Sequence, residues 1–280
     1  MESAYAKYER AQVQLDELRA SVDRFRGADL DNELSFRMSY PFGDRDPRGI
    51  LTLRVQMRAP SEWSLIIGDI LTNLRAALDH AVYGHAMSRQ TLNSERRKNL
   101  YHPMSTSSAE WESTPETTTP DGNVKPSRKG IREVLQDLLA PAVLDVIEKN
   151  QPFNGTEAPG WHGLSVLSGL ANRDKHRAVL DIPINIAGLA LGDNNLDITA
   201  EGEIRVLPGG IIEKDITIRR RMTPPGQPLR HRIGSIWASA AFLEEIEIPN
   251  TGERRPCLDI MEKLVTQAGQ YLEELKRAGC

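Results

Sequence analysis

The sequence is poor in cysteine, in aromatic residues, in net positive charge and in long apolar runs. Its two cysteines, Cys257 and Cys280, are too few for a disulfide framework or a clustered zinc site. That scarcity predicts a reducing compartment, the cytoplasm. Aromatic residues make up 5% of 280 residues, so the core has to rest on Leu, Ile, Val and Ala. The formal net charge is −4, which excludes a protein that coats nucleic acid through bulk charge and leaves only local contact with RNA. No stretch of about 18 apolar residues is present, so no membrane span is expected. The charged start "MESAYAKYERAQVQLDELRA" has no apolar h-region, so no signal peptide is expected, and the terminal "AGC" lacks the prenylation pattern. Gly-rich phosphate loops, H-E-x-x-H and G-x-S-x-G are missing too. His80 and His85 stand at i, i+5, poor for ligation from one helix face, so neither metal nor cofactor is expected.

What is present reads as an α+β protein of ordinary apolar (39%) and charged (26%) content. Residues 2–27 carry Ala4, Tyr8, Ala11, Leu15, Leu18 and Val22 at helical spacing. Residues 33–58 read as a β-hairpin, two alternating stretches around the turn chemistry of "PFGDRDPRG". Pro60 and Ser61 open a long helix to about residue 88. Residues 103–128, rich in Ser, Thr, Pro and Glu, read as a mobile loop too polar to pack. Helices are expected over 127–139, 141–149 and 160–173, strands over 178–250, and a last helix over 256–277. The fold class is thus a helical bundle with an N-terminal β-hairpin insertion and a C-terminal antiparallel β segment closed by a final helix. Residues 1–177 are expected to form the mainly helical part, and 178–280 a β-rich part whose last helix docks on it.

The long helix holds the most informative stretch, "NLRAALDH", residues 73–80. Ile67, Ile70, Leu74, Ala77, Leu78 and Ala81 share a wide apolar face, while Asp69, Asn73 and His80 form a narrow polar stripe. Arg75 and His80 diverge by about 140° at about 100° per residue, so a neighbouring helix or a second chain would have to join them. Arg75 and Asp79 form an i, i+4 pair of opposite charge, a pattern that commonly serves only the helix. Small residues at 76, 77, 81 and 84 predict close packing, where polar groups need partners.

A second constellation, "NRDKHR" from Asn172 to Arg177, lies between an apolar helix and an apolar strand. Cations suit a helix C-terminus; Lys175 and Arg177 could equally donate to an anion. A third, Arg219, Arg220, Arg221, Arg230 and Arg232, reads as the charged edge of a hairpin before it reads as a phosphate contact.

"GDILTNLRAALDH" followed by "LANRDKHR" resembles a group of uncharacterised bacterial proteins that share a G-D-x3-N-L-R-x-A-L-D-H helix and a D-K-H-R motif. Arg75-x4-His80 is similar to the R-x(4–6)-H signature of the HEPN superfamily, helical proteins that are often dimeric and often metal-independent endoribonucleases of toxin–antitoxin and phage-defence systems. That resemblance implies a catalytic set of Arg75, His80, Asn73 and Asp79. His80 would move the proton of a ribose 2′-OH or the leaving 5′-oxygen. Arg75 would stabilise the phosphorane charge, and Asn73 or Asp79 would orient the pair. Asp174, Lys175, His176 and Arg177 would hold the flanking phosphate. RNA, a second copy of the chain and a neutralising protein would be the partners. The alternative is a non-catalytic scaffold, or a ligand- or partner-binding protein, in which the same polar residues form a buried structural network. A small-molecule enzyme using His80 and His176 is a third, weaker reading.

Overall fold

The computed structural model describes residues 1–26, 34–39, 48–55, 59–94, 97, 100–114, 117–118, 121, 124–125, 128–176, 180, 182–192, 196–207, 211–220, 237–249 and 251–280. They divide into two compact units that are each discontinuous in sequence. The first comprises Met1–Val22, Pro60–Ile182 and Glu245–Cys280, and the second Asp23–Ala59 and Pro183–Glu244.

The first unit is helical. Its elements are α1 (Glu2–Arg26, which continues past the unit boundary), α2 (Ser61–Arg89), α3 (Ser108–Glu112), α4 (Ile131–Gln136), α5 (Pro141–Lys149), α6 (Gly163–His176) and α7 (Cys257–Arg277). α2 is its centre. Ile67, Ile70, Leu71, Leu74, Ala77, Leu78, Ala81 and Val82 are all fully buried, and burial of each Leu or Ile contributes about 1.5–3 kcal/mol. α1 runs antiparallel to α2: Ser3 meets His80, Gln14 meets Asn73, and Ser21 meets Trp63. α1 is also antiparallel to α7, with Tyr5 bonded to Glu273 and Arg19 to Glu262. Gly269 makes room where they meet: a β-carbon there would lie 2.3 Å from the Tyr8 hydroxyl, and that ring would have to shift. α7 buries Met261, Leu264, Val265, Ala268, Tyr271, Leu272 and Leu275 along one stripe, the i, i+3, i+4 pattern of an amphipathic helix.

The N-terminus is helical, and the N-terminal hairpin insertion expected in the bundle is corrected. Strands β1 (Leu34–Ser39) and β2 (Arg48–Val55) group with the second unit. There β2 pairs with β9 (Ile211–Arg220), giving the order β1-β2-β9-β8 with β8 at Leu196–Leu207. Two-sided pairing of β2 decides its place: a strand with both edges bonded belongs to a sheet, not to a helix surface. β7 (Ile184–Gly192) pairs antiparallel with β10 (Trp237–Glu247), whose end pairs with β11 (Arg254–Pro256). The expected split at residue 177/178 therefore differs from the observed one.

The first part of the polar segment 103–128 packs, as Ser105 and Trp111 are buried. The segment holds α3 and short antiparallel pairs of β3 (Ser113–Thr114) with β6 (Arg128–Lys129) and of β4 (Thr117–Thr118) with β5 (Val124–Lys125). Trp111 anchors it, fully buried and 6.0 Å from the Phe153 ring. One large aromatic outweighs the polarity around it. The helix expected over 127–139 is shorter, Ile131–Gln136, because Arg128 and Lys129 are paired with β3; Ala140 is extended before Pro141 (ψ 145°). His85 Nε2 accepts the N–H of Ala140 at 3.1 Å.

Candidate functional site

The polar stripe of α2 faces two ways, and each side has its own protein partner. On the α1 side, Asn73 is fully engaged. Its Nδ2 donates to Gln14 Oε1 at 2.9 Å and to the Asp69 carbonyl at 3.0 Å, and its Oδ1 accepts from Lys7 Nζ at 3.3 Å. His80, half-buried, pairs its Nδ1 with Ser3 Oγ at 2.7 Å.

On the other side, Arg75 and Asp79 close on one residue that the sequence did not single out, His102. Arg75 Nη2 donates to the His102 carbonyl at 2.7 Å, and Asp79 Oδ1 accepts the His102 N–H at 2.8 Å. Arg75 Nε stands 3.5 Å from the same Asp79 oxygen. The i, i+4 pair thus supplies one donor and one acceptor to both backbone groups of a single residue, as a β-ladder partner would. Gln151, fully buried, continues the grip. Its Oε1 accepts the Ser105 N–H at 2.8 Å, and its Nε2 donates to the Pro103 carbonyl at 3.3 Å.

The His102 ring, fully buried, places Nε2 2.7 Å from the Tyr271 hydroxyl, edge-on to that ring at 5.3 Å between centroids. Burial, with the Arg75 charge adding to it, lowers the imidazole pKa to about 3, so the ring is neutral at ordinary pH. Its Nδ1 has no hydrogen-bond partner among the described residues. Burial also raises the Tyr271 hydroxyl well above the usual phenol range.

The two sequence motifs do meet, but at Gly68. A β-carbon on Gly68 would lie 2.7 and 2.8 Å from the two carboxylate oxygens of Asp174. The glycine of "GDILTNLR" therefore makes room for the aspartate of "NRDKHR", and the contact locks α6 onto α2. Gly68 lies seven residues before Arg75, about 10 Å along the helix. Lys175 is exposed. The side chain of His176 and the whole of Arg177 lie outside the described residues. Of the arginine cluster, Arg219 and Arg220 end β9 opposite Asp197 and Leu196, and Arg221, Arg230 and Arg232 lie outside the described residues.

Arg75 and His80 are not brought together within the chain, since one reaches the His102 segment and the other reaches α1. Among the described residues no group of three His, Cys, Asp or Glu side chains could hold a metal ion, and no helix is long and apolar enough to cross a membrane. His102, Gln14, Gln151 and Tyr271 were missed by sequence reasoning. The only signal was the small-residue packing around residue 77, which predicts that polar neighbours need partners without saying which. Compared with family models, curated proteins and solved structures, the chain matches none.

Proposed function

We propose that the chain is a non-catalytic binding protein, in which the polar residues of α2 fix the helical unit rather than perform chemistry. The observation that carries this reading is the use of Arg75 and Asp79 together on the backbone of His102. The guanidinium is held by these contacts on the side of α2 away from His80, with Nη2 on the His102 carbonyl and Nε 3.5 Å from Asp79, and withdrawing it from there would leave that carbonyl unpaired at a cost of about 1–3 kcal/mol. Asn73, tied to Lys7, Gln14 and Asp69, is likewise committed.

A second reading has one observation in its favour. His80 is only half-buried, and among the described residues its side-chain bond, to Ser3, engages Nδ1. That state suits a HEPN-like, metal-independent endoribonuclease of a defence or toxin type, with a homodimer bringing two Arg75–His80 sets together and RNA as substrate. A neutralising protein partner belongs to this reading.

One experiment separates the two. RNA cleavage is measured in EDTA for the wild type, Arg75→Ala and His80→Ala, with a melting curve for each. The binding-protein reading expects no cleavage by any of them and a large fall in melting temperature for Arg75→Ala. Cleavage by the wild type, lost in His80→Ala at an unchanged melting temperature, would replace it with the nuclease.

A further inference from the structure

A cleft of about 170 Å³ opens in the helical unit between the end of α5, the start of α6 and the second half of α7. Its floor includes Leu164, Leu167, Leu264 and Ala268. Its polar groups are Asn150, His162, Gln267, Gln270, Tyr271 and Glu274. Among the described residues no lysine or arginine lines it.

The polar groups have a definite sense. His162 Nδ1 accepts the Leu164 N–H at 3.3 Å, so the ring proton sits on Nε2. Burial, helped by Lys263 and opposed by Glu157, holds the imidazole below its usual range and adds no positive charge. The Tyr271 hydroxyl is taken by His102. Glu274 Oε2 receives Asn150 Nδ2 at 3.0 Å and lies 3.6 Å from the largely exposed Lys149 ammonium. Both contacts fall on Oε2, which leaves Oε1 without a partner among the described residues. Gln267 is seated over Gly163, where a β-carbon would lie 1.9 Å from its Oε1. The cleft therefore offers the Glu274 carboxylate, two glutamine side chains on one face of α7 and apolar side chains, with the Lys149 ammonium at 3.6 Å from that carboxylate but outside the lining.

We propose that this cleft binds a primary ammonium carried on a short apolar stem, either a free amine or the lysine of a peptide. An ammonium has three donors and no acceptor, which suits a lining in which the Glu274 carboxylate is the charged group. The stem covers the leucine floor. A carboxylate or phosphate would meet Glu274 with like charge and is excluded. The exposed Lys149 already competes for the same carboxylate, so the site is an ammonium site in which one native ammonium sits at the rim. The proposal rests on the binding-protein reading and names its ligand class.

The test is chemical-shift titration of the full chain with butylammonium, with Nα-acetyl-lysine methylamide as the peptide-borne source, and with butyrate as the anionic control. Saturable shifts in the Leu164–Leu167 and Leu264–Glu274 amides are expected for the two ammonium probes and none for butyrate. Butylammonium binding alone would assign a free amine, and equal or tighter binding of the lysine probe a peptide. Glu274→Gln keeps the oxygen facing Asn150 but removes the charge, and binding should weaken at least tenfold. Lys149→Gln, at an exposed site that cannot endanger folding, should tighten binding severalfold. No saturable shift with either ammonium, or binding that neither variant alters, overturns the proposal. These titrations contain no RNA. Their failure leaves the cleavage result intact, and a cleavage-positive wild type would show instead that the underlying reading had failed.

Discussion

His102 couples the chemistry of one ring to the stability of the helical unit. Its proton is bound in the unfolded chain below about pH 6.5 but in the fold only below about pH 3. Between those values the unfolded state binds more protons, so stability rises with pH across that window and is fully present above pH 6.5. At about 1.4 kcal/mol per pH unit of separation, acidification to pH 3 removes on the order of 5 kcal/mol through this group alone. Urea midpoints measured from pH 8 to pH 5 should fall in the wild type, and the slope should flatten in His102→Phe whatever its baseline stability. A wild-type slope that the substitution leaves untouched would remove His102 from the account. The clamp on its backbone makes a second expectation. Arg75→Ala and Asp79→Ala each leave a His102 backbone group unpaired and should cost about 1–3 kcal/mol, while the double variant should cost clearly less than their sum, because each side chain also serves the other. Additive losses in denaturant melts would mean two independent contacts. None of this could be read from the sequence. Arg75 and Asp79 were legible as a pair, but their common partner stands 23 residues beyond Asp79 in a segment with no periodicity, and a backbone partner leaves no side-chain pattern at all.

At the scale of elements the helices were legible because each carries its own periodicity. α2, α5 and α7 begin and end within one residue of where capping and apolar spacing put them. Strand pairing across long separations has no such local record. β1 and β2 read as a hairpin from their own turn, but the pairing of β2 with β9, about 160 residues later in the chain, depends on edge bonds that alternation does not specify. The seam between α2 and α6 is a further case. "GDILTNLR" and "NRDKHR" stood out as polar exceptions in apolar surroundings, and their meeting at Gly68 and Asp174 explains a glycine inside a long helix, where it otherwise costs about 1 kcal/mol against alanine. Gly68→Ala should therefore destabilise, not stabilise, despite its better helix propensity, by about 1–3 kcal/mol from overpacking. Asp174→Ala in the same chain should recover part of that loss. A stabilised Gly68→Ala protein in thermal melts would show that the Asp174 carboxylate moves aside freely.

The whole molecule is two units threaded through one another in sequence, and this governs which pieces can exist alone. A cut at residue 177, where helical texture gives way to strand texture, would seem to release the helical part. It would instead strip α7 from it. Met261, Leu264, Val265, Leu272 and Leu275 are buried in that unit, at about 1.5–3 kcal/mol each, a sum of the same size as the about 5–15 kcal/mol that holds a typical domain together. α7 also supplies Tyr271 to His102 and Glu262 to Arg19, so its loss strands buried polar groups as well as apolar surface. A fragment ending at residue 177 should therefore show no cooperative thermal transition and should expose apolar surface to a fluorescent dye. Co-expression with residues 245–280, which carry the returning strand end and α7, should restore a cooperative melt, because the missing helix packs through side chains and needs no covalent link to do so. A fragment of 1–177 that melts cooperatively on its own would mean that α1, α2 and α6 close a core without the last helix, and the division of the chain would then follow the sequence texture after all.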